Sequence, residues 1–450
     1  MTAGDQSDAL TMLLTFRAEN VLSFRDPLEL SLEATAKAEE GVPRLLPWRE
    51  GGKTSVRVLP AAGVFGANAS GKTNLLRAMN DMRRIVVGSF RSGDRSSHIQ
   101  RRSFRLDPDF QDAPSRFEID VVLNGVRYEY GFIVDDTHVI REWARNYPHG
   151  KAAVLFEREE GEPPNLGEKN RAKSRAVIEI LRPNSLLLSA AGAADHPDLL
   201  PLYAWFSSNL MLAEASSRER RWAYTTQLLA QQDRSAQILA MLHAADLGIT
   251  DARIREPDPE FLERIRKVLA ALEVDSKIDT SELDSDSFLG IALSHRGSHG
   301  DVEFDSSEES LGTLVWLGLL GPVVEALARG TVLLADELES SLHPALVTQL
   351  VRTFQSTRTN PHGAQLIFNS HEAGLLGNSV EDRVLGRDQV WFTEKLNDGR
   401  TRLYPLLDLN PRKAEAVSRR YLAGRYGATP IISSAEFDVL TAAIAAGACE

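Results

Sequence analysis

Short apolar runs, each followed by glycine, asparagine or acidic residues, recur along the chain. They lie at residues 61–65, 332–335 and 364–368. Nearly every position in these runs is apolar and the runs are too short for helices, which is typical of strands buried on both faces of a parallel sheet. After the first run, apolar residues recur at helical spacing from Leu75 to Met82. The pattern therefore predicts an α/β protein in which a buried strand leads directly into a helix.

A second pattern indicates antiparallel strands. Residues 13–16 and 28–32 form two strand-like segments on either side of a turn. Residues 117–123 and 126–130 flank the dipeptide Asn124-Gly125, which favours a tight hairpin turn. We therefore expect antiparallel strands after the first helix, which a plain doubly wound fold does not contain.

Between residues 172 and 275 the spacing of apolar residues becomes helical, most clearly at 238–247 and 261–272. Strand character resumes at residues 288–293. We therefore expect a helical subdomain inserted between two lobes. The expected domains are an N-terminal lobe at 1–171, the helical insertion at 172–280, a C-terminal lobe at 281–430 and a tail at 431–450.

The stretch from Leu311 to Ala328 is mostly apolar and long enough to resemble a membrane span. It contains Pro322 and Glu325, and Arg329 follows it directly. A helix buried at the centre of a soluble domain explains this pattern better than a transmembrane helix. We therefore expect no membrane association.

The composition is that of a soluble globular protein, since 43% of the 450 residues are hydrophobic and 25% are charged. The formal net charge of −12 argues against a protein that coats nucleic acid through its overall field, although a local basic patch is compatible with it. Cys449 is the only cysteine, which excludes an intrachain disulfide and a cysteine metal cluster. The first residues show no basic segment followed by an apolar core, so we expect a cytoplasmic protein without a secretory signal.

The first buried run leads into a motif that fills the P-loop pattern G-x-x-x-x-G-K-[ST] at every fixed position. A glycine-rich turn between strand and helix points backbone N–H groups, and the positive end of the helix dipole, at a phosphate chain. We expect Lys72 to reach the β- and γ-phosphates and Thr73 to ligate Mg²⁺ through its hydroxyl. The motif therefore predicts a site for a nucleoside triphosphate and Mg²⁺. Its residues are Gly66, Ala67, Asn68, Ala69, Ser70, Gly71, Lys72 and Thr73.

Acidic residues and a histidine follow the other two buried runs. Asp336 and Glu337 end the run at 332–335, and His371 follows the run at 364–368. The carboxyl ends of parallel strands meet at one edge of the sheet, where ligands bind. We expect Asp336 to hold Mg²⁺ through water and Glu337 to orient and polarise the attacking water. His371 is expected to sense the γ-phosphate by hydrogen bonding.

A second candidate anion site opens the long apolar helix. Ser310, Gly312 and Thr313 are small residues around Leu311 at the predicted helix N-terminus. The free N–H groups of a helix N-terminus bind anions, and an ordinary serine cap is the alternative interpretation. This turn cannot easily reach the P-loop of its own chain, so if it binds phosphate, the phosphate would be held by the P-loop of another chain.

Together these motifs resemble the ABC-type ATPases of the SMC and RecF branch. The resemblance rests on the P-loop, on the Ser-Leu-Gly-Thr turn at 310–313, on residues 333–344 and on the Asn-Ser-His sequence at 369–371. It is closer still to the stand-alone prokaryotic AAA ATP-binding proteins related to overcoming-lysogenisation and abortive-infection ATPases. Asn68, Asn74 and the tail at 419–427 also match that branch.

The resemblance implies an α/β fold, namely a P-loop NTPase of ABC-ATPase type with an antiparallel β subdomain and an inserted helical subdomain. It also implies an ATPase that works as a homodimer or a higher homo-oligomer. Two subunits would stack head to tail around two ATP molecules. Each ATP would be held by residues 66–74 of one chain and by Ser310, Gly312 and Thr313 of the other, and the loop at 339–344 would cross the dimer seam.

Two positions depart from the family pattern. Leu311 stands where many relatives have a small or polar residue. The glutamine of the Mg²⁺-contacting loop has no close match, and Gln100 is the nearest candidate.

Three hypotheses about function follow. The leading one is a Mg²⁺-dependent ATPase whose ATP-driven dimer closure controls a separate effector protein, such as a nuclease, in anti-phage defence. The alternative is an ATP-gated clamp in recombination repair that binds DNA, with a basic cluster of the helical insertion (Arg218, Arg220 and Arg221) as the candidate contact. A self-contained toxin nuclease ranks last, because the acidic pair Asp284 and Asp286 precedes a strand instead of following one.

Overall fold

The computed structural model describes residues 10–47, 55–91, 97–148, 150–169, 171–255, 290–430 and 433–445. The predicted helical run at 261–272, the acidic pair Asp284 and Asp286, and Cys449 lie outside these described residues. Two large sheets organise the rest, one mainly parallel and one antiparallel. One hydrophobic core fills the space between the two sheets, and a second core lies on the opposite face of the parallel sheet.

The strands and helices follow in chain order. The strands are β1 Met12–Glu19, β2 Leu28–Ser31, β3 Arg44–Pro47, β4 Ser55–Val58, β5 Ala61–Gly66, β6 Ser115–Leu123, β7 Val126–Val134, β8 Val139–Tyr147, β9 Ala153–Glu159, β10 Asn165–Leu166, β11 Leu210–Ala213, β12 Ile249–Arg255, β13 Gly290–Gly297, β14 Gly300–Asp305, β15 Val332–Ala335, β16 Gln365–Asn369, β17 Val390–Lys395 and β18 Thr401–Pro405. The helices are α1 Lys72–Gly88, α2 Pro108–Gln111, α3 Arg171–Glu179, α4 Leu187–Ala193, α5 Leu200–Ser208, α6 Arg218–Leu229, α7 Gln232–Ala244, α8 Leu311–Arg329, α9 Pro344–Gln355, α10 Val417–Leu422 and α11 Ser434–Ala445.

The mainly parallel sheet has the strand order β11-β15-β16-β5-β17-β18. Every residue of β5, β15 and β16 is buried, because helices and the second sheet cover both faces. This explains why these strands appear in the sequence as continuous apolar runs instead of alternating ones. The predicted α/β fold is confirmed, including the direct passage from β5 through the P-loop into α1.

The antiparallel sheet has the strand order β10-β9-β8-β7-β6-β1-β2. The strand-like segments at 13–16 and 28–32 pair as β1 and β2, with Phe16 opposite Leu30. Asn124 and Gly125 both have positive φ angles, of 49° and 76°, which is the conformation of the predicted hairpin turn between β6 and β7. The expectation of antiparallel strands after the P-loop helix is therefore confirmed.

The stretch predicted to be helical contains helices α3 to α7, but it also contains the strands β11 and β12. β11 is the outermost strand of the parallel sheet and pairs with β15, with Met211 opposite Leu333. Its four residues are apolar and follow a helix directly, so their spacing cannot distinguish a strand from one more buried helical turn. The prediction of helices alone was wrong here, and the domain boundaries stay a prediction.

The long apolar stretch forms helix α8. By length and composition it could cross a membrane, and among the described residues it is the one helix of this kind. However, 67% of its most apolar 18-residue segment is buried inside the fold. Gly321 allows α6 to approach closely, since a Cβ there would lie 2.4 Å from Thr225 Oγ1. The burial agrees with the expected core helix.

Candidate functional site

The loops that follow β5, β15 and β16 carry the three motifs predicted from the sequence. β16 lies between β5 and β15, and all three strands run parallel. Their carboxyl ends therefore meet at one edge of the sheet, which is the usual position of a ligand site in an open α/β sheet. This edge is the candidate functional site.

The P-loop needs glycine at both of its fixed positions. Gly71 has a φ of 103°, and a Cβ there would lie 2.3 Å from Thr401 Oγ1. A Cβ on Gly66 would lie 2.5 Å from the carbonyl oxygen of Thr393. Ala67, Asn68 and Ala69 form the tip of the loop, where Asn68 and Ala69 are exposed. The loop is therefore packed against β17 and β18 on one side and open on the other.

Side chains from distant parts of the chain support this packing. Thr401 Oγ1 donates to the carbonyl of Ser70 at 2.9 Å, and Ser70 Oγ lies 2.7 Å from Thr393 Oγ1. Asn74 Nδ2 donates to Ser23 Oγ at 2.8 Å. Ser23, Thr393 and Thr401 were missed by the sequence reasoning, because single hydroxyl residues in strands and turns carry no local signal of a role at the P-loop.

Lys72 lies inside the curve of the P-loop. Its Nζ donates to the carbonyl oxygens of Gly66 and Ala67 at 2.9 and 3.0 Å. Burial lowers the pKa of Lys72 to about 8, against the opposing effect of nearby carboxylates of which Glu339 has the largest influence. The ammonium group is thus held where a phosphate chain on the loop would meet it.

Thr73, Asp336 and Asn369 form a hydrogen-bonded cluster at the sheet edge. Thr73 Oγ1 donates to Asp336 Oδ1 at 2.8 Å, and Asn369 Nδ2 donates to the same oxygen at 2.6 Å. Asn369 is fully buried and Asp336 is only 6% exposed. The sequence reasoning assigned no role to Asn369, although its place at the end of β16, two residues before His371, was a usable signal.

Glu337 and His371 lie beside this cluster. Glu337 has a φ of 49°, and its backbone N–H donates to Asn369 Oδ1, while its side chain is exposed. The His371 N–H donates to Glu339 Oε1 at 2.6 Å. Partial burial and then the charge of Lys72 hold the pKa of the His371 imidazole below its usual value, which favours the neutral ring near pH 7.

The turn at 310–313 forms an exposed helix N-terminus. Ser310 Oγ accepts from the Thr313 N–H at 3.1 Å and lies 2.9 Å from Thr313 Oγ1, so within the single chain Ser310 is a helix cap. Leu311 is 45% exposed. A Cβ on Gly312 would lie 2.8 Å from the carbonyl oxygen of Ser341, so the turn packs on the loop that follows Glu337. A trans contact with phosphate stays a prediction.

Gln100 is not brought to the candidate site. Its Oε1 accepts from Arg84 Nη2 at 2.6 Å. Arg84 lies 11 residues beyond Thr73 on α1, which is about 16 Å along a helix axis. Gln100 is therefore not the Mg²⁺-contacting glutamine in this structure. Its position along the chain does not determine its distance from the sheet edge.

A cavity of about 660 Å³ opens beside the P-loop. Ala69 and Asn74 of the P-loop segment line it together with Ser23, Phe104 and Leu106. Arginines 101, 102 and 105 also contribute to its wall. Its volume lies in the range of small-molecule pockets, so it is large enough for a nucleoside attached to phosphates on the loop.

The strand, P-loop and helix, together with an acidic strand end hydrogen-bonded to the P-loop threonine, define a P-loop NTPase fold. The chain belongs to the family described as "AAA domain, putative AbiEii toxin, Type IV TA system", which matches residues 61–377, more than two thirds of its length. The family predicted from the motifs is therefore confirmed. No curated protein matches the chain.

Solved structures with a similar layout include heads of SMC proteins. The SMC head domain from Thermotoga maritima is 13% identical, with a TM-score of 0.39, and the match covers 87% of this chain and 98% of that one. A head domain with an extended coiled coil, bound to the C-terminal domain of ScpA derived from Pyrococcus furiosus, is 10% identical, with a TM-score of 0.36 and coverages of 89% and 98%.

Proposed function

We propose that this chain binds ATP with Mg²⁺ and hydrolyses it, and that ATP closes a head-to-tail homodimer that controls a separate effector protein. The observation that carries the proposal is the hydrogen bond of 2.8 Å between Thr73 Oγ1 and Asp336 Oδ1. It joins the P-loop to the acidic end of β15 across the sheet edge. A nucleotide on the loop would therefore meet the candidate metal ligands and the candidate base in one place.

The triphosphate would lie over the P-loop and the N-terminus of α1. Backbone N–H groups of the loop and the helix dipole favour negative charge there. Lys72 would exchange the carbonyls of Gly66 and Ala67 for the β- and γ-phosphates, which is favourable because charge-assisted hydrogen bonds are stronger than those to carbonyls. The nucleoside would extend into the cavity beside Ala69 and Asn74.

The residues at the sheet edge fit Mg²⁺. Thr73 and Asp336 supply oxygen ligands, which Mg²⁺ prefers, and Asn369 fixes the Asp336 carboxylate. In the part of the chain that is described, no group of three or more His, Cys, Asp and Glu residues could hold a metal by itself. This agrees with a nucleotide-dependent ion, since Mg²⁺ in such sites is held by one or two protein oxygens and by phosphates. It would neutralise charge that develops on the phosphates.

Glu337 and His371 are the proposed catalytic residues. A carboxylate at Glu337 can accept a hydrogen bond from the attacking water and polarise it. A neutral imidazole at His371 can donate a hydrogen bond to the γ-phosphate without needing a proton from solution. Both side chains reach the surface of the single chain. Water access would then be restricted only when another subunit covers them.

The proposed covering group is the turn at 310–313 of the partner subunit. Leu311 is a large apolar side chain that is 45% exposed, and Gly312 packs on the loop that follows Glu337. A contact with phosphate in trans would therefore be linked, through that loop, to the partner's own Glu337. This linkage supports a homodimer or a higher homo-oligomer.

A complementation experiment tests this arrangement. Lys72→Ala damages the P-loop half of a site, and Leu311→Glu places a negative charge where the partner's phosphates would lie, at an exposed position that tolerates it. Each variant alone should hydrolyse ATP very slowly. When equal amounts are mixed, half of the dimers are hybrids with one intact site of two, so about a quarter of the wild-type rate should return.

The matched control mixes Lys72→Ala with Glu337→Gln. Both changes lie on the same half of the site, so their hybrid contains no intact site and no activity should return. The dimer proposal is wrong if the first mixture stays inactive although native mass spectrometry shows that hybrids form. It is equally wrong if both mixtures recover the same rate.

The effector and the biological role are further parts of the proposal. The family description names a toxin of a type IV toxin–antitoxin system, which supports a protein that works as one component of a larger system. We propose a role in anti-phage defence, in the cytoplasm, with a nuclease as one suitable effector.

The DNA-clamp alternative stays a prediction. Arg221, one of the three arginines of the basic cluster, is buried against α8, whereas Arg218 and Arg220 are exposed. The cluster therefore offers two accessible charges instead of three. Phosphate contacts of this kind contribute affinity that falls steeply with salt.

A further inference from the structure

Glu339 lies in the turn after β15, two residues beyond Glu337, and occupies an unusual position. Its Oε1 accepts the backbone N–H of His371 at 2.6 Å. Its Oε2 is buried and has no hydrogen-bond partner in the described parts of the chain. Leaving a carboxylate oxygen buried and unpaired costs stability, so the position calls for a functional explanation.

The turn that carries Glu339 is tied to the end of β16 at three points. The Glu337 N–H donates to Asn369 Oδ1, and the Leu338 N–H donates to the Asn369 carbonyl at 3.2 Å. The third tie is the hydrogen bond from His371 to Glu339. The first two are made by backbone donors to Asn369, so only the third depends on the side chain of the turn and can be removed by substitution at Glu339.

Charge effects agree with this location. Among the carboxylates that act on Lys72, Glu339 has the largest influence, ahead of Glu337 and Asp336. Among the groups that act on His371, it is the carboxylate with the largest influence. Since the effect of a charge falls with distance, the Glu339 carboxylate lies close to both the P-loop lysine and the histidine.

Local geometry explains why Glu339 turns inward while Glu337 faces outward. Glu337 and Ser341 both have positive φ angles, of 49° and 62°. Two consecutive turns follow, in which the Ser340 N–H donates to the Glu337 carbonyl at 2.8 Å and the Leu342 N–H donates to the Glu339 carbonyl at 2.9 Å. The chain therefore reverses direction within this segment, so that the Glu337 side chain is exposed while the Glu339 carboxylate faces the His371 segment.

We propose that Glu339 is a positioning residue for ATP hydrolysis, which holds the His371 segment in place so that His371 and Glu337 reach the γ-phosphate together. This inference rests on the proposed function of the site. Glu339 acts through His371, with its Oε1 as the acceptor that fixes the backbone next to the imidazole. Displacing a catalytic group by about 1 Å can cost a factor of about 100 in rate, so one hydrogen bond at this place is enough to matter.

The test compares Glu339→Ala with Glu339→Gln. Alanine removes the acceptor, so kcat should fall about 10- to 100-fold. KM for ATP should change much less than kcat, because Lys72 and the P-loop backbone that would hold the phosphates are retained. Glutamine keeps an oxygen that can accept the His371 N–H, so it should retain kcat within about threefold. Glu381→Ala, which removes an exposed carboxylate outside the site, is the matched control and should behave as wild type.

A double-mutant cycle with His371→Ala shows whether Glu339 acts through the histidine. If it does, Glu339→Ala should cost almost nothing once His371 has been replaced. The inference is overturned if Glu339→Ala leaves kcat unchanged, if it raises KM alone, if glutamine is as poor as alanine, or if the two effects multiply. Thermal unfolding of each variant identifies a loss of folding. If Glu339→Ala does not fold, a folded Glu339→Gln variant still tests the inference, because a loss of kcat of more than about threefold overturns it.

The same assays separate this inference from the proposed function. Wild-type protein that hydrolyses no ATP would refute the proposed function itself. Wild-type protein that hydrolyses ATP, beside a Glu339→Ala variant with the same kcat and KM, would refute only the role of Glu339.

Discussion

Replacing Glu337 with Gln is expected to stop ATP hydrolysis without preventing ATP binding. The substitution keeps the size of the side chain and the backbone N–H that donates to Asn369, but it removes the carboxylate that would polarise water. A positioned general base contributes about 10²- to 10⁴-fold to a rate, so phosphate release should fall by about that factor. ATP-bound dimers should then accumulate, and light scattering with ATP should give twice the mass found with ADP.

Glu219→Gln is a suitable control for this prediction. Glu219 is an exposed carboxylate on α6, and its neutralisation changes the net charge of the chain by the same amount. Phosphate release from this variant should match wild type. Normal hydrolysis by Glu337→Gln would remove Glu337 from the mechanism, and a slow variant that stays monomeric with ATP would separate hydrolysis from dimerisation.

The sequence predicted those parts of the site that depend on short segments. The P-loop is a contiguous motif, and the strand before it and the helix after it confirm the assignment. The backbone of the loop itself forms the phosphate site, so distant segments are not needed to recognise it. Asp336 was recognised because an acidic residue directly follows a buried apolar run. Both signals are local, and the structure shows the hydroxyl of Thr73 hydrogen-bonded to Asp336.

The parts that could not be predicted depend on contacts between distant segments. Asn369 connects Asp336 with the backbone of Glu337. Its place at the end of a buried apolar run indicates a position at the sheet edge, but it does not indicate these two contacts. Glu339 appeared in the sequence as one member of a loop expected to cross a dimer seam, whereas its side chain contacts the His371 segment of its own chain. Hydrogen bonds across neighbouring strands follow from strand order, which periodicity does not reveal.

Strand β11 shows that the fold, too, depends on contacts between distant segments. Leu210 to Ala213 are compatible with a helix or a strand as long as only their own pattern is considered. Pairing with β15, whose Leu333 lies opposite Met211, makes them a strand. Tertiary hydrogen bonding therefore decides the structure of short apolar segments. The feature of this segment that favours a strand is its length, because four residues are enough for a strand but form little more than one helical turn.

Replacing Lys72 with Ala is expected to remove most of the affinity for ATP. The variant lacks the ammonium group and therefore its hydrogen bonds to the phosphates. Each hydrogen bond that involves a charged group contributes about 1.5–3 kcal/mol. Loss of one or two such bonds, about 1.5–6 kcal/mol in total, raises Kd by about 10- to 10⁴-fold. Isothermal titration calorimetry with ATP and with ADP measures the change in Kd. The loss of affinity should be larger for ATP than for ADP, because Lys72 is the P-loop side chain that would reach the γ-phosphate.

Lys413→Ala is the matched control for this prediction, because Lys413 is exposed and lies outside the P-loop. Its Kd for ATP should equal that of wild type. In the free protein, Lys72→Ala also leaves the carbonyls of Gly66 and Ala67 without their present donor, so the unfolding temperature of the variant must be measured beside its affinity. If a folded Lys72→Ala variant binds ATP as tightly as wild type, the triphosphate lies elsewhere, and the roles given to Thr73, Asp336 and Glu337 lose their basis, since all three depend on a nucleotide held by this loop.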